Sequence, residues 1–273
     1  MAQEKWLVSG PKVLDLPVVR SVKISLIAGR VDVLGTDEPT ARVEVSEVHG
    51  RDLLVSIDGD HLEIDHPQLR WDNLVDVFRS VTGKASATVS VLVPRTVSLR
   101  LAVVSADALV SGMQTPARLS TASGSIMLDA SAGDVELNTV SGPLSVRDHR
   151  GAVAARTVSG DVSASGVLTS FSCDGVSGDV FVDAAGVPDK IDTNTVSGAT
   201  TIRLPEGVGA RYTINSVSGT AQLDDRVFRG IRGMGQSWAT GDLSGRWTDV
   251  KCNSVSGDIV VVRAATAGRE TVA

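Results

Sequence analysis

An all-β fold is predicted for this chain: a β-solenoid of the single-stranded β-helix type, built of 18–21-residue repeats and preceded by an antiparallel strand region. Three observations point to it. A Ser-Gly pair recurs at Ser123-Gly124, Ser141-Gly142, Ser159-Gly160, Ser177-Gly178, Ser197-Gly198, Ser218-Gly219 and Ser256-Gly257, with spacings of 18, 18, 18, 20, 21 and 38. Apolar and polar residues alternate around each pair, as a strand requires. Aromatic residues make up only 3% of the chain against 27 glycines, which suits thin stacked layers of small and β-branched side chains better than a bulky centre.

With 273 residues and 42% hydrophobic content, the chain is long enough to bury a core. Its formal charge of −6 argues against a general nucleic-acid binder, whose footprint would be a basic face. Residues 1–6 show no apolar signal region, and the longest apolar runs fall short of the roughly 20 residues that span a bilayer. The expectation is a cytoplasmic protein without a membrane span. Cys173 and Cys252 alone make no disulfide framework and agree with a reducing compartment.

In chain order, residues 1–12 read as a lead and 13–104 as an N-terminal β region with alternation, as in Val22-Lys23-Ile24-Ser25-Leu26 and Arg42-Val43-Glu44-Val45-Ser46. Gly29-Arg30-Val31-Asp32-Val33 already has the form of the later repeats, and Asp58-Gly59-Asp60 reads as a hairpin turn between two strands. The region looks like an antiparallel meander capping the repeats. Leu69, Trp71, Leu74, Val75, Phe78 and Val81 break the strand rhythm and predict a helix or ordered loop over 68–84. Pro94 should end a strand by removing a ladder donor.

Residues 105–263 hold the repeats. With Ser105-Ala106 as a degenerate first copy, four residues before each Ser stand Leu101, Leu119, Leu137, Ala155, Cys173, Thr193, Ile214 and Cys252, a nearly apolar column. Pairs such as Ile126/Leu128, Val180/Val182 and Ile259/Val261 follow each Gly, and Val140, Val158, Val176, Val196, Val217 and Val255 directly precede the Ser. The Gly is expected at a corner, in a conformation that a Cβ disfavours. Half-copies at Gly133-Asp134-Val135 and Gly151-Ala152-Val153 give each repeat two strands and two corners, each strand stacking on the same segment of the next repeat. An insertion over 224–251 carries Arg226, Arg229, Arg232, Arg246, Trp238 and Trp247, and residues 264–273 read as a tail.

No enzyme signature emerges, and no cofactor or metal is expected. Asp134, Asp161, Asp179 and Asp258 follow Gly at equivalent sites, but the paired glycines of a Ca²⁺-binding β-roll are missing, so they read as turn acceptors. Asp58, Asp60, His61, Glu63, Asp65 and His66 read as a solvated hairpin, and the two cysteines as small core residues. The serines lie outside any Gly-x-Ser-x-Gly nucleophile elbow.

The repeated Thr-Val-Ser-Gly-Asp-Val, the entry Val91-Leu92-Val93-Pro94 followed by Leu99 to Val103, and the aromatic insertion before the last copy resemble a bacterial family of β-strand-repeat domains of unknown function. That family is labelled adhesin and also called toastrack. The resemblance covers roughly residues 15–263 and implies an all-β repeat fold without catalytic residues, associated with envelope-stress systems.

The function expected is therefore a non-enzymatic scaffold that presents a solenoid face to protein partners, membrane-stress proteins among them, at the inner membrane surface. Trp71, Phe78, Arg226, Phe228, Arg229, Arg232, Trp238, Arg246 and Trp247 are the candidate partner-binding residues, since aromatics and Arg make hot spots and here gather in irregular segments. The alternative for these side chains is that they seal the fold. Alternative functions are self-assembly into filaments through open ladder edges and an adhesin-like surface that binds carbohydrate or lipid.

Overall fold

The computed structural model describes residues 3–66, 85–229 and 236–264, and all regular structure among them is β-strand. The expected helix or loop over 68–84 lies outside the described residues. The chain packs as two units, Met1–Arg147 and Asp148–Ala273.

In the first unit β1 (Glu4–Val8), β2 (Lys12–Val18), β3 (Ser21–Thr36), β4 (Thr40–His49), β5 (Leu53–Asp58), β6 (His61–Asp65), β7 (Ser86–Pro94) and β8 (Ser98–Ser111) precede the short strands β9 (Ala117–Thr121), β10 (Ile126–Asp129) and β11 (Val135–Thr139). Strand β12 (Leu144–Thr157) carries the chain across the unit boundary. β3 pairs in parallel with β8 from Ser21↔Ser98 to Leu34↔Ser111. Its other edge takes β6 and then β7, also in parallel. Gly29 stands beside Ala106 in this ladder, so the Gly29-to-Val33 segment is a divergent first copy of the repeat, as its pattern suggested.

From β8 onward each strand pairs in parallel with the strand 18 residues later: Leu99↔Ala117, Ala108↔Ile126, Ala117↔Val135 and Ile126↔Leu144. The ladder offset equals the Ser-Gly spacing, so each strand lies beside the same segment of the next copy. On the far side of β3 the pairing turns antiparallel. β5 and β6 form a hairpin closed at Asp58↔His61, β1 adds to β5, and β4 joins β7 to β2. β7 ends at Pro94, as expected of a residue without an N–H.

The second unit adds β13 (Val162–Gly175), β14 (Val180–Ala184), β15 (Lys190–Ser197), β16 (Thr200–Pro205), β17 (Gly209–Ser218), β18 (Thr220–Leu223), β19 (Arg226–Arg229), β20 (Gln236–Thr240), β21 (Trp247–Ser256) and β22 (Ile259–Ala264). Stacking again begins in sequence order, with Val162↔Val180, then Ser170↔Lys190 and Val180↔Thr200.

It then departs from that order. β15 and β16 pair with β21 and β22, at Lys190↔Asp249 and Thr200↔Ile259. β17 and β18 pair with the opposite edges of the same two strands, at Gly209↔Trp247 and Ala221↔Ile259. The last repeat is thus inserted between two earlier ones, which corrects the expectation that each repeat stacks on the next. The insertion makes this possible: β19 pairs antiparallel with β18, β20 pairs antiparallel with β17, and the chain then crosses back to the inner edge as β21. Antiparallel strands on β18 and on Ala210–Ile214 of β17 cover much of a parallel edge that would otherwise offer a free template.

The predicted core columns point inward throughout. Leu101, Leu119, Leu137, Ala155, Cys173, Thr193, Ile214 and Cys252 are all buried, and so are the apolar residues that follow each Gly.

Candidate functional site

The Thr-Val-Ser-Gly-Asp corner is built from its own side chains. The Thr faces inward, and its hydroxyl accepts the N–H of the Gly three residues on: Gly124 to Thr121 at 3.0 Å, Gly142 to Thr139 at 2.9 Å and Gly160 to Thr157 at 2.7 Å. The Ser sends both its N–H and its hydroxyl to a carbonyl of the preceding circuit, as Ser177 does to Val158 at 2.8 and 3.2 Å. The Asp accepts the backbone N–H of the neighbouring circuit, Asp161 from Asp179 at 2.9 Å and Asp258 from Thr220 at 2.8 Å.

The Gly has two separate reasons. At Gly198 φ is +112°, and a Cβ there would also collide with the Gly178 carbonyl. At Gly257 φ lies outside the left-handed region, and close approach to the Gly198 carbonyl alone excludes a side chain. The expectation that every such Gly adopts a Cβ-disfavoured conformation is corrected accordingly.

Because residues four and two before each Ser face inward, those three and one before it face out. In the second unit these outward positions make two adjacent columns. One is Arg156, Asp174, Asn194, Asn253 and Asn215, the last four joined into a single hydrogen-bonded run. Asn215 donates to Asn253 at 2.6 Å, Asn253 to Asn194 at 2.6 Å and Asn194 to Asp174 at 2.8 Å. The other is the valine column, and Val158, Val176, Val196, Val255 and Val217 are 47–60% exposed. Between the two columns runs an open groove of about 490 Å³, floored by Gly175, Thr195, Ser216 and Ser254. The valines are visible in the sequence as a column directly before each Ser, and period-2 parity counted from the apolar column turns them, and the Asn positions, outward.

The candidate residues of the insertion are placed separately. The Arg226 guanidinium lies 4.0 Å from the Trp238 ring centroid, and Arg211 lies 4.4 Å from that of Trp247. Arg246 donates to the Val187 carbonyl at 3.0 Å and reaches Asp189 at 3.3 Å. Phe228 is half-buried in β19, opposite Ala221. Arg229 belongs to β19 by its backbone, while its side chain, Arg232, Trp71 and Phe78 lie outside the described residues.

Sequence reasoning missed Arg211, and it missed the network behind the insertion. There the Tyr212 hydroxyl donates to Asp224 Oδ2 at 3.0 Å and accepts from Arg263 Nη2 at 2.8 Å. Arg263 also reaches Asp224 Oδ1 at 2.7 Å and the Val208 carbonyl at 2.7 Å. Burial raises the Tyr212 hydroxyl well above its usual pKa. The three partners are scattered through the sequence, and no short motif marks them.

Elsewhere, burial pushes the thiols of Cys173 and Cys252 up to about 12, which removes the thiolate needed for nucleophilic work. The β5–β6 hairpin is less solvated than expected at its end. His66 is fully buried and its Nδ1 accepts from Ile27 N at 3.3 Å, while burial, with Glu63 nearby, raises Asp65 to about 6. Glu63 pairs with Lys23 of β3 at 2.7 Å.

No curated protein matches the chain. Among solved structures, a candidate lipid-binding protein from Parabacteroides distasonis ATCC 8503 is similar at 12% identity and TM-score 0.50, covering 94% of this chain and 97% of its own. A candidate adhesin from the same organism aligns at 13% identity and TM-score 0.46, covering 96% and 97%. A candidate cell adhesion protein from Clostridium sporogenes ATCC 15579 aligns at 13% identity and TM-score 0.26, covering 93% and 100%. At such identities the likeness concerns the fold. The Toastrack DUF4097 family model matches residues 22–262, nearly the whole of the ladder system described above, and the chain belongs to that family.

Proposed function

We propose that this chain is a non-enzymatic scaffold whose ladders form a β-solenoid and whose outward side binds protein partners, in the setting of a bacterial envelope-stress response. One observation carries the reading. The inward Thr, the Ser, the Gly and the Asp of the repeated motif are engaged in holding neighbouring circuits together, whereas its valine stays exposed in copy after copy. A structural repeat that leaves a large apolar side chain in water at every turn supports a surface meant to be covered. The setting rests on the family resemblance.

Self-assembly through open edges is the weaker reading, because β19 pairs along the outer edge of β18 and β20 along Ala210–Ile214 of β17. The test is affinity capture with the full chain from a bacterial lysate, followed by reconstitution of each recovered protein with the pure chain. A reproducible one-to-one complex supports the scaffold. Recovery of the chain alone, with concentration-dependent light scattering, refutes it in favour of self-assembly.

A further inference from the structure

Resting on that reading, we infer that the valine ridge of the second unit is the docking line for a basic amphipathic α-helix of a partner protein. The ridge follows the stacking order Val158, Val176, Val196, Val255, Val217, which the intercalated last circuit makes continuous. Circuits ~4.8 Å apart give it a length of roughly 19 Å. A helix laid along it presents one apolar side chain per turn of about 5.4 Å, close enough to the circuit spacing for about three turns to stay in step. An extended peptide fits less well. Lying across the strands it could not add to a ladder, and the ladder hydrogen bonds beneath it are already made.

The borders of the ridge select the charge. On one flank stand the exposed carboxylates of Asp161, Asp179 and Asp258, each of which accepts a backbone N–H of the neighbouring copy. On the other flank runs the carboxamide column with the exposed Asp174, next to which Arg156 stands in the Val158 circuit, so the acidic stretch of the border runs from Val176 to Val217. Each Asn is held by its neighbours, so this wall is ordered before anything binds, and little side-chain entropy is lost on docking. An apolar line with carboxylates at its borders is complementary to an apolar helical stripe flanked by Lys and Arg. The groove of about 490 Å³ between the valine and carboxamide columns gives the apolar side chains of such a helix somewhere to enter.

The probe is a synthetic helix of about 14 residues with Leu at i, i+4, i+7 and i+11, Lys on both flanks and Ala elsewhere. A scrambled peptide of the same composition and a version with Glu for Lys serve as controls. Binding to the full chain is followed by fluorescence anisotropy, and protection is mapped by hydrogen exchange. Saturable binding of the Leu/Lys helix alone is expected, with protection at 194–196, 215–217 and 253–255. The double substitution V196T/V255T, which keeps the β-branched shape, should weaken it by about tenfold or more with unchanged melting. D161N/D179N/D258N should flatten its salt dependence.

Equal binding of the scrambled peptide, protection elsewhere, or affinity indifferent to V196T/V255T overturns the inference. So does valine-dependent binding to anionic vesicles or dimerisation without peptide binding, which would give the ridge a different occupant. A reconstituted partner whose binding survives V196T/V255T would sink the ridge while leaving the scaffold reading in place. Recovery of the chain alone with concentration-dependent light scattering would sink both.

Discussion

Replacing Arg263 with Ala tests the intercalated order of the last circuits. Arg263 lies on β22, the strand inserted between β16 and β18, and its side chain is only 20% exposed. Its guanidinium bonds to both neighbours: the Pro205 carbonyl that ends β16 and the Val208 carbonyl that follows it, and the Asp224 carboxylate that follows β18. It also holds the hydroxyl of the fully buried Tyr212. Truncation leaves a carboxylate that is 18% exposed, and a phenol, without their cation. Breaking a fully buried pair costs about 3–5 kcal/mol, and partial exposure brings the expectation here to about 2–4 kcal/mol. For a chain of this size that corresponds to a fall in melting temperature of roughly 5–12 °C. The assay is urea unfolding with native-state hydrogen exchange, and exchange should rise first in β22 and β18. Arg263→Lys should recover only part of the loss, since an ammonium cannot span all the acceptors. In the cycle with Asp224→Asn a coupling of about 1–2 kcal/mol is expected. A loss below about 0.5 kcal/mol, or destabilisation that spares β22, would refute the assigned order.

Thr157→Val removes the acceptor for Gly160 N–H at constant shape, and it should cost about 1–3 kcal/mol by equilibrium unfolding because a buried donor is left unmade. Gly198→Ala should be more damaging than Gly257→Ala, since the first adds an unfavourable φ to the collision both share; ranking their unfolding midpoints checks this. Asp65 has a folded pKa of about 6, raised by burial above the ordinary carboxylate value. The folded state therefore holds its proton more tightly, and its contribution declines as pH rises from about 4 to about 6. Asp65→Asn should raise stability at pH 7 by about 1 kcal/mol after discounting for partial exposure, and should not do so at pH 3.5. His66 works in the opposite direction, its pKa lowered by burial, so stability from it is lost as pH falls below about 6.5. Comparing the pH slopes of Asp65→Asn and wild type isolates the first effect.

Much of the local structure was legible because a strand's side chains alternate and a repeat returns to the same column. The 18-residue spacing became the ladder offset, and the column of Leu119, Leu137, Cys173 and Ile214 became core. Asp161 and Asp179 read correctly as backbone acceptors, since a carboxylate next to a Gly corner has N–H groups within reach. The candidate site was less legible. Arg226 and Trp238 were picked out one by one, but their stacking depends on β19 and β20 lying on neighbouring strands of one circuit. Arg211 and Arg263, which hold Trp247 and Tyr212, stand in strands whose pattern shows nothing unusual.

The sequence by itself determined that the chain is β throughout its described length, which residues face inward, and the offset between stacked copies in the first ladders, because these follow from the period of a strand and of a repeat. Only the tertiary structure decided which circuit lies beside which. Parallel strands of near-identical pattern accept one another in any order, so the spacing of 38 before the last Ser-Gly pair is compatible with stacking on the outside or with insertion. The choice rests on long-range contacts, the Arg263 fork and the β19 and β20 covers, that no local pattern encodes. That choice also places Val255 between Val196 and Val217 and completes the ridge.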